Sequence, residues 1–329
     1  MKVSEWILVC LLLALLLDRM IGDPPLLWSK VPHPVVLFGS AISWFDRRLN
    51  KENMIRDRRR ANGVVAILAL LLLAIVVASV LQAFFALFGP LALLLEILVV
   101  AILLAQKSLA DHVLAVVQGL RQDGIEGGRQ AVSMIVGRDP RTLDESGVSR
   151  AAIESLSENF ADGVVAPAFW YLVAGLPGIL AYKMLNTADS MIGHKSPKYI
   201  DFGWASARLD DLANWPAARL SALMIAFGAL VHEGRAAARR SLSVAMRDSR
   251  LHRSPNSGWP EAAMAGALDL QLAGPRIYAG ETVNEPMING AGRPKANHLD
   301  IQRAIRVFHG ACTALTGLVA ILLLLSLLV

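Results

Sequence analysis

The fold class this sequence predicts is an all-α, polytopic membrane helical bundle, and three observations predict it. Of 329 residues, 55% are hydrophobic and only 18% are charged, which leaves too little polar surface for a water-soluble globule of this size. The apolar residues collect in runs near the length that crosses a bilayer as a helix, about 20 residues. Lys and Arg gather in the stretches between those runs, as topology-determining loops do. The expected architecture is a single membrane-embedded domain over residues 1–329. It has five or six membrane segments, some broken or re-entrant, together with cytoplasmic amphipathic helices and one irregular but ordered loop.

Each element has its own grounds. Residues 6–17 form a short apolar run with no small-residue cleavage site after it, so a first membrane helix is expected rather than a removed signal. Residues 63–88 are interrupted only by Ser79 and Gln82 and predict the clearest span. Gly89-Pro90 is a turn signal, so residues 91–109 should return as the partner of a helical hairpin. Glu96 lies inside that return and should face other helices or be protonated, because an ionised acid facing lipid costs about 2.5–3.5 kcal/mol at the bilayer centre. Residues 164–182 contain Pro167, Gly175, Pro177 and Gly178 and predict a kinked or re-entrant segment. Residues 213–231 and 311–329 complete the set. Cys10 and Cys312, the only cysteines, sit in apolar runs at opposite ends, which excludes a disulfide framework or a cysteine metal site.

Lys plus Arg number nine in residues 18–61, six in 106–160, four in 183–212 and eleven in 232–306. The first, second and fourth stretches are therefore expected in the cytoplasm, whereas strict alternation through six full spans would put 183–212 on the opposite face and a segment 164–182 that only dips into the bilayer would not, so the side of that stretch stays open. Within 106–160, Thr142 and Glu145 stand in capping-box spacing and should open a helix running through Glu154. Residues 250–298 are rich in Pro, Gly and Asn, including 280–286 and 289–294, and read as a loop without helical period. The net charge of +5 is not arranged as a basic patch interleaved with aromatics, so no nucleic-acid partner is expected.

The residues that suit chemistry fall at the ends of the broken segment. Glu154, Glu158 and Asp162 follow at i, i+4 and i+8, so on a helix they share one face and can jointly hold a divalent cation, with Asn159 beside them. Lys183, Asn186 and Asp189 close the segment on its other side, followed by Arg208, Asp210, Asp211 and Asn214. Adjacent acids such as Asp210 and Asp211 call for water or a bound cation. A solvated helix face, caps and turns are the bland explanations of the same residues. Together the clusters offer acid oxygens for Mg²⁺, with Lys183, Arg208 and Arg219 for a phosphate, a combination that suits phosphoryl chemistry. The N-terminal loop adds Asp23, in Gly22-Asp23-Pro24-Pro25, and His33, in Pro32-His33-Pro34. No G-x-x-x-x-G-K-[ST] and no H-E-x-x-H occurs, so a Walker site and zinc hydrolysis are excluded.

These pieces, in this order and over nearly the whole length, resemble the adenosylcobinamide-phosphate synthase family, the membrane proteins of cobalamin biosynthesis named CobD or CbiB. The resemblance rests on Asp18 with Gly22-Asp23-Pro24 and Pro32-His33-Pro34, on Glu154 to Gly163, and on Asn186-Thr-Ala-Asp189-Ser-Met-Ile-Gly193. It continues through Phe202 to Asp211 with Asn214-Trp-Pro216 and Arg219, then Ser254-Pro-Asn256-Ser-Gly-Trp-Pro260-Glu261. It implies an ATP-dependent amide ligase joining adenosylcobyric acid to (R)-1-amino-2-propanol or its phosphate. ATP and Mg²⁺ would be needed, the adenosylcorrinoid and the aminoalcohol would be substrates, and later cobalamin-assembly enzymes would be partners alongside membrane lipid. On that basis Glu158, Asp162, Asp189, Asp210 and Asp211 are expected on Mg²⁺, and Glu154 or His33 in proton transfer. Asp23, Asn159, Lys183, Asn186, Arg208, Arg219 and Glu261 are expected on substrate and phosphate groups. A cation-coupled transporter, a metal-dependent intramembrane transferase and a non-catalytic membrane scaffold are the competing classes.

Overall fold

The computed structural model describes residues 2–137, 139–274, 276–278, 281–283 and 285–328. Of the loop and tail expectations, Gly280, Asn284 and Val329 lie outside these. Helices dominate, and among the described residues five helical runs are long and apolar enough to cross a membrane: Arg56–Ala86, Leu91–Gln122, Glu145–Ile192, Trp204–His232 and His298–Leu328. The N-terminal helix α1 (Val3–Ile21) is not among them, since Glu5, Asp18 and Arg19 stand within its 19 residues.

The chain divides into two compact units, one of Met1–Ala105, Ala166–Asn214 and Val319–Val329, the other of Gln106–Val165 and Trp215–Leu318. In the first unit, α1, α3 (Pro34–Leu49), α4 (Arg56–Ala86) and α5 (Leu91–Leu103) pack on α9 (Ala166–Ile192). The hairpin between α4 and α5 forms where expected, because Gly89 takes the left-handed φ of +57° that a side chain disfavours. Glu96 faces protein rather than lipid: Trp6 Nε1 donates to its Oε2 at 2.9 Å and Tyr171 Oη donates to its Oε1 at 2.7 Å. The return helix is shorter than 91–109, however. Leu104 is extended and α6 (Gln106–Gln122) begins where the apolar run meets its first polar side chain.

Residues 164–182 do not form a segment of their own. They belong to a helical run from Glu145 to Ile192 that comprises α8 (Glu145–Phe160), a π-helical turn at Ala161–Val165 and α9. The expected kink is present at Ala174 and Gly175, where Gly175 has φ +60°, two residues before Pro177. Pro177 lacks the N–H that would close the preceding turn.

The second unit packs α6, α7 (Gly124–Val132) and α12 (Gly258–Leu268) on α8, with α11 (Arg235–Asp248) on α12. Two sequence expectations are corrected in it. The residue capping α8 is Asp144, whose Oδ1 accepts from Gly147 N at 2.7 Å, while Thr142 ends a 3₁₀ turn over Pro140–Thr142. A carboxylate beside the first free N–H groups outcompetes a hydroxyl two residues earlier. The 250–298 stretch contains α12, a helix buried on all sides and built largely of Ala and Gly, so it has no polar stripe to reveal its period. Beyond it come two short antiparallel pairs, β1 (Leu272–Ala273) with β4 (Met287–Ile288) and β2 (Arg276–Tyr278) with β3 (Glu281–Val283).

Candidate functional site

In the first unit the candidate residues come from the last turns of α9 and the first turns of α10 (Trp204–His232). The elbow between them is packed by backbone. A Cβ on Gly203 would strike the Ile192 carbonyl, and one on Gly193 would strike the Asp189 carboxylate. Gly193 N donates to Asp189 O at 2.7 Å. The elbow is also tied to α3 and α4. Lys198 Nζ bonds Asp46 Oδ2 at 2.9 Å, Arg56 pairs with Asp201 at 3.2 Å, and the Arg60 guanidinium lies 3.6 Å from the centre of the Trp204 ring. Hydrogen bonds to Tyr199 and Asp46 hold the Lys198 ammonium above the ordinary lysine range.

This hairpin assembles a polar relay at the edge of the span. Asp210, 8% exposed, accepts from Asn214 Nδ2 at 2.9 Å through Oδ2 and from Asn186 Nδ2 at 3.4 Å through Oδ1. Asn214 is fixed in turn, its Oδ1 accepting from Tyr182 Oη at 2.8 Å. Asp189 and Asp211 both act electrostatically on Asp210, and Arg208 and Lys195 act on Asp211. Lys183 is half-buried and Arg208 exposed. Tyr182 and Lys195 escaped the sequence reading. Tyr182 looks like one more apolar position, and Lys195 stands outside the motifs named above. In the N-terminal segment of the same unit, His33 caps α3, its Nδ1 accepting from Val35 N at 3.3 Å. Its Nε2 lies 3.6 Å from Asp23 Oδ1, and its ring packs edge-on at 4.5 Å from Trp28.

In the second unit the acids of α8 hold the 250–298 stretch in place. Glu154 Oε1 accepts from Ala273 N at 2.8 Å, where the chain takes a left-handed φ of +59°. Glu158 Oε1 accepts from Ser257 Oγ at 2.8 Å. Asp162 falls within the π-helical turn, so the i, i+4, i+8 face inferred from the sequence ends at Glu158, since a π turn inserts a residue and offsets those after it. Asn159 is exposed, with Nδ2 turned back to Ser155 O at 2.9 Å. Arg219 is sandwiched, 4.5 Å from the Trp215 ring centre and 5.0 Å from that of Trp259, while Nη1 donates to Trp215 O at 2.9 Å and Asn256 Oδ1 at 3.0 Å. Glu261, 1% exposed, has Oε1 3.6 Å from Nε2 of His252, whose imidazole is also buried. The tryptophans that hold Arg219 stand in the two Trp-Pro pairs at 215–216 and 259–260, and no sequence spacing announces their contact with the arginine.

Among the described residues, no three His, Cys, Asp or Glu side chains gather closely enough to cage an ion by themselves. The five expected metal carboxylates are therefore not a preassembled cluster. The pair formed by Asp189 and Asp210 is what the hairpin brings together, and its carboxylate oxygens are of the kind Mg²⁺ takes.

The sequence profile of the CobD/Cbib protein family matches residues 11–308. The chain belongs to the CobD/Cbib family. It is 68% identical to a cobalamin biosynthesis protein CobD of Sinorhizobium sp over 96% of this chain and 98% of that one. Identity is 64% to the protein so named in Rhizobium meliloti (strain 1021), over 95% and 96%, and 46% to that of Rhodobacter capsulatus, over 95% and 97%. No solved structure matches the chain. Every motif that carries the resemblance lies within the stretch the family covers.

Proposed function

We propose that the chain acts in cobalamin biosynthesis as an ATP-dependent amide ligase, joining the free carboxyl of adenosylcobyric acid to the amine of (R)-1-amino-2-propanol or its phosphate. The observation that carries the reading is the Tyr182–Asn214–Asp210 relay beside Asp189, set within a chain of this family. A buried carboxylate whose two oxygens each accept an amide N–H is held in one orientation. Asp189 and Asp210, with Asp211, would hold Mg²⁺. When bound, that ion would neutralise the polyphosphate of ATP as the substrate carboxyl is activated.

The protein's own groups divide the remaining work. Asn214 and Asn186 orient Asp210, while Lys183 and Arg208 offer cations to phosphate oxygens. Glu158 accepts from Ser257 of the 250–298 stretch through one oxygen. On the second unit Arg219, Asn159 and Glu261 are the candidates for substrate contacts and Glu154 for taking the proton released by the attacking amine; on the first, Asp23 and His33 are the candidates for the same two roles. The site faces the cytoplasm of the bacterial inner membrane, where later cobalamin-assembly enzymes receive the product.

The test is direct. Purified protein in detergent is given adenosylcobyric acid and either aminoalcohol, with ATP and Mg²⁺ present or omitted, and the corrinoid products are separated by chromatography. Amide product that requires ATP and Mg²⁺ is expected. Product formed without ATP would overturn carboxyl activation, and substrate uptake into vesicles without any product would favour a transporter.

A further inference from the structure

The face of α11 opposite α12 belongs neither to the candidate site nor to the core. Its helix follows α10 by two residues, Glu233 and Gly234, and Gly234 turns the chain with φ +90°. The level of that turn is marked by charge: Arg303 on α13 (His298–Leu328) pairs with Glu233 at 2.7 Å and with Asp300 at 3.0 Å, and it donates to Leu268 O at 3.3 Å. Such a layer of ion pairs at the end of two apolar spans belongs at the boundary between hydrocarbon and water. α11 therefore starts at the membrane surface.

The helix has two distinct sides. Ala237, Ser241, Val244, Ala245 and Asp248 are buried, and Gly266 of α12 approaches so closely that a Cβ there would meet the Arg240 carbonyl. At 100° per residue, Arg235, Arg239, Leu242 and Met246 lie within about 60° of one another on the opposite side. Met246 is 75% and Leu242 38% exposed, and no acid interrupts that side. Arginines flanking large apolar side chains on the outer face of a surface helix match an anionic headgroup above acyl chain.

We propose that α11 is a binding surface for anionic phospholipid of the surrounding bilayer, with Arg235 and Arg239 on the headgroup and Leu242 and Met246 in the acyl boundary. This is independent of the ligase reading, because none of these residues belongs to the candidate site. The test uses the full chain in neutral-detergent micelles doped with phosphatidylglycerol or phosphatidylcholine, followed by thermal unfolding. Phosphatidylglycerol is expected to raise the melting temperature above the phosphatidylcholine value, by an amount that shrinks in high salt. The lipid fraction giving half the shift should rise about fivefold for each of Arg235→Gln and Arg239→Gln. Arg235→Lys with Arg239→Lys should keep the shift, and the glutamine variants should melt like wild type in phosphatidylcholine. Equal melting of wild type in the two lipids, as for a water-exposed or protein-binding face, would overturn the assignment, as would a glutamine double variant that keeps the full shift.

Discussion

Acids stand at the edge of the membrane spans in both units, yet they are used differently. On α8 of the second unit, Glu154 and Glu158 spend an oxygen each on the backbone of Ala273 and the hydroxyl of Ser257, partners 119 and 99 residues further along the chain. On α9 and α10 of the first unit, Asp210 is oriented by two side-chain amides and faces another acid, Asp189. A carboxylate bound to distant backbone is a tether, whereas one steadied by amides and set against a like charge awaits a cation. Charge at a membrane edge does not by itself separate the two uses; the partner does.

The contrast can be broken most sharply at Asp210 and Asp189. Alanine at either position should lower ligation at least ~100-fold with membrane insertion intact, whereas Glu158→Gln should cost less than about tenfold; comparable losses in all three, measured as product formed per minute, would erase the distinction. Next in size is Glu154→Ala, which leaves the Ala273 N–H without its acceptor and should destabilise the second unit by about 1–3 kcal/mol. Proteolysis should then cut within 250–298. Glu154→Gln preserves an acceptor but not a base, so full activity in that variant assigns proton transfer to His33 instead.

The smallest effect concerns Asp248, which anchors Asn289 N at 2.8 Å and is gripped by Arg247 at 2.7 and 2.8 Å. The Arg247 guanidinium, with help from the Asn289 N–H, holds its carboxyl below the ordinary range despite burial. A lowered folded-state value means the stabilisation is present above the unfolded value, about 3.9, and is lost as pH falls through the folded one. Melting curves of wild type should therefore drop more steeply below about pH 4 than those of Asp248→Asn. Parallel curves would show that the tether contributes nothing through ionisation.

The long spans were legible because uninterrupted apolar runs such as 63–88 have one physical solution in lipid, and the hairpin because Gly89-Pro90 admits few backbones. The kink near Gly175 was legible for the same reason. α12 was not, since a helix buried all round carries no amphipathic signal, and neither was the π turn that removes Asp162 from the face of Glu154 and Glu158. At the site, Asp189, Asp210 and Asn214 could be read as a polar group at a span's end. The bonds of Glu154 and Glu158 could not, because contacts spanning a hundred residues leave no local spacing. Arg219 was visible, but its stacking between Trp215 and Trp259 was not.

One backbone contact reaches further than its size. Gly63 of α4 lies under the Phe202 carbonyl of the elbow, where any Cβ would collide. A helix held at one point on its polar end has its roll about its own axis decided there. Which side of α4 greets the acyl chains, and which meets α9, is thus dictated from the water's edge by a missing methyl group, and changing the lipid-facing leucines should not rotate the span.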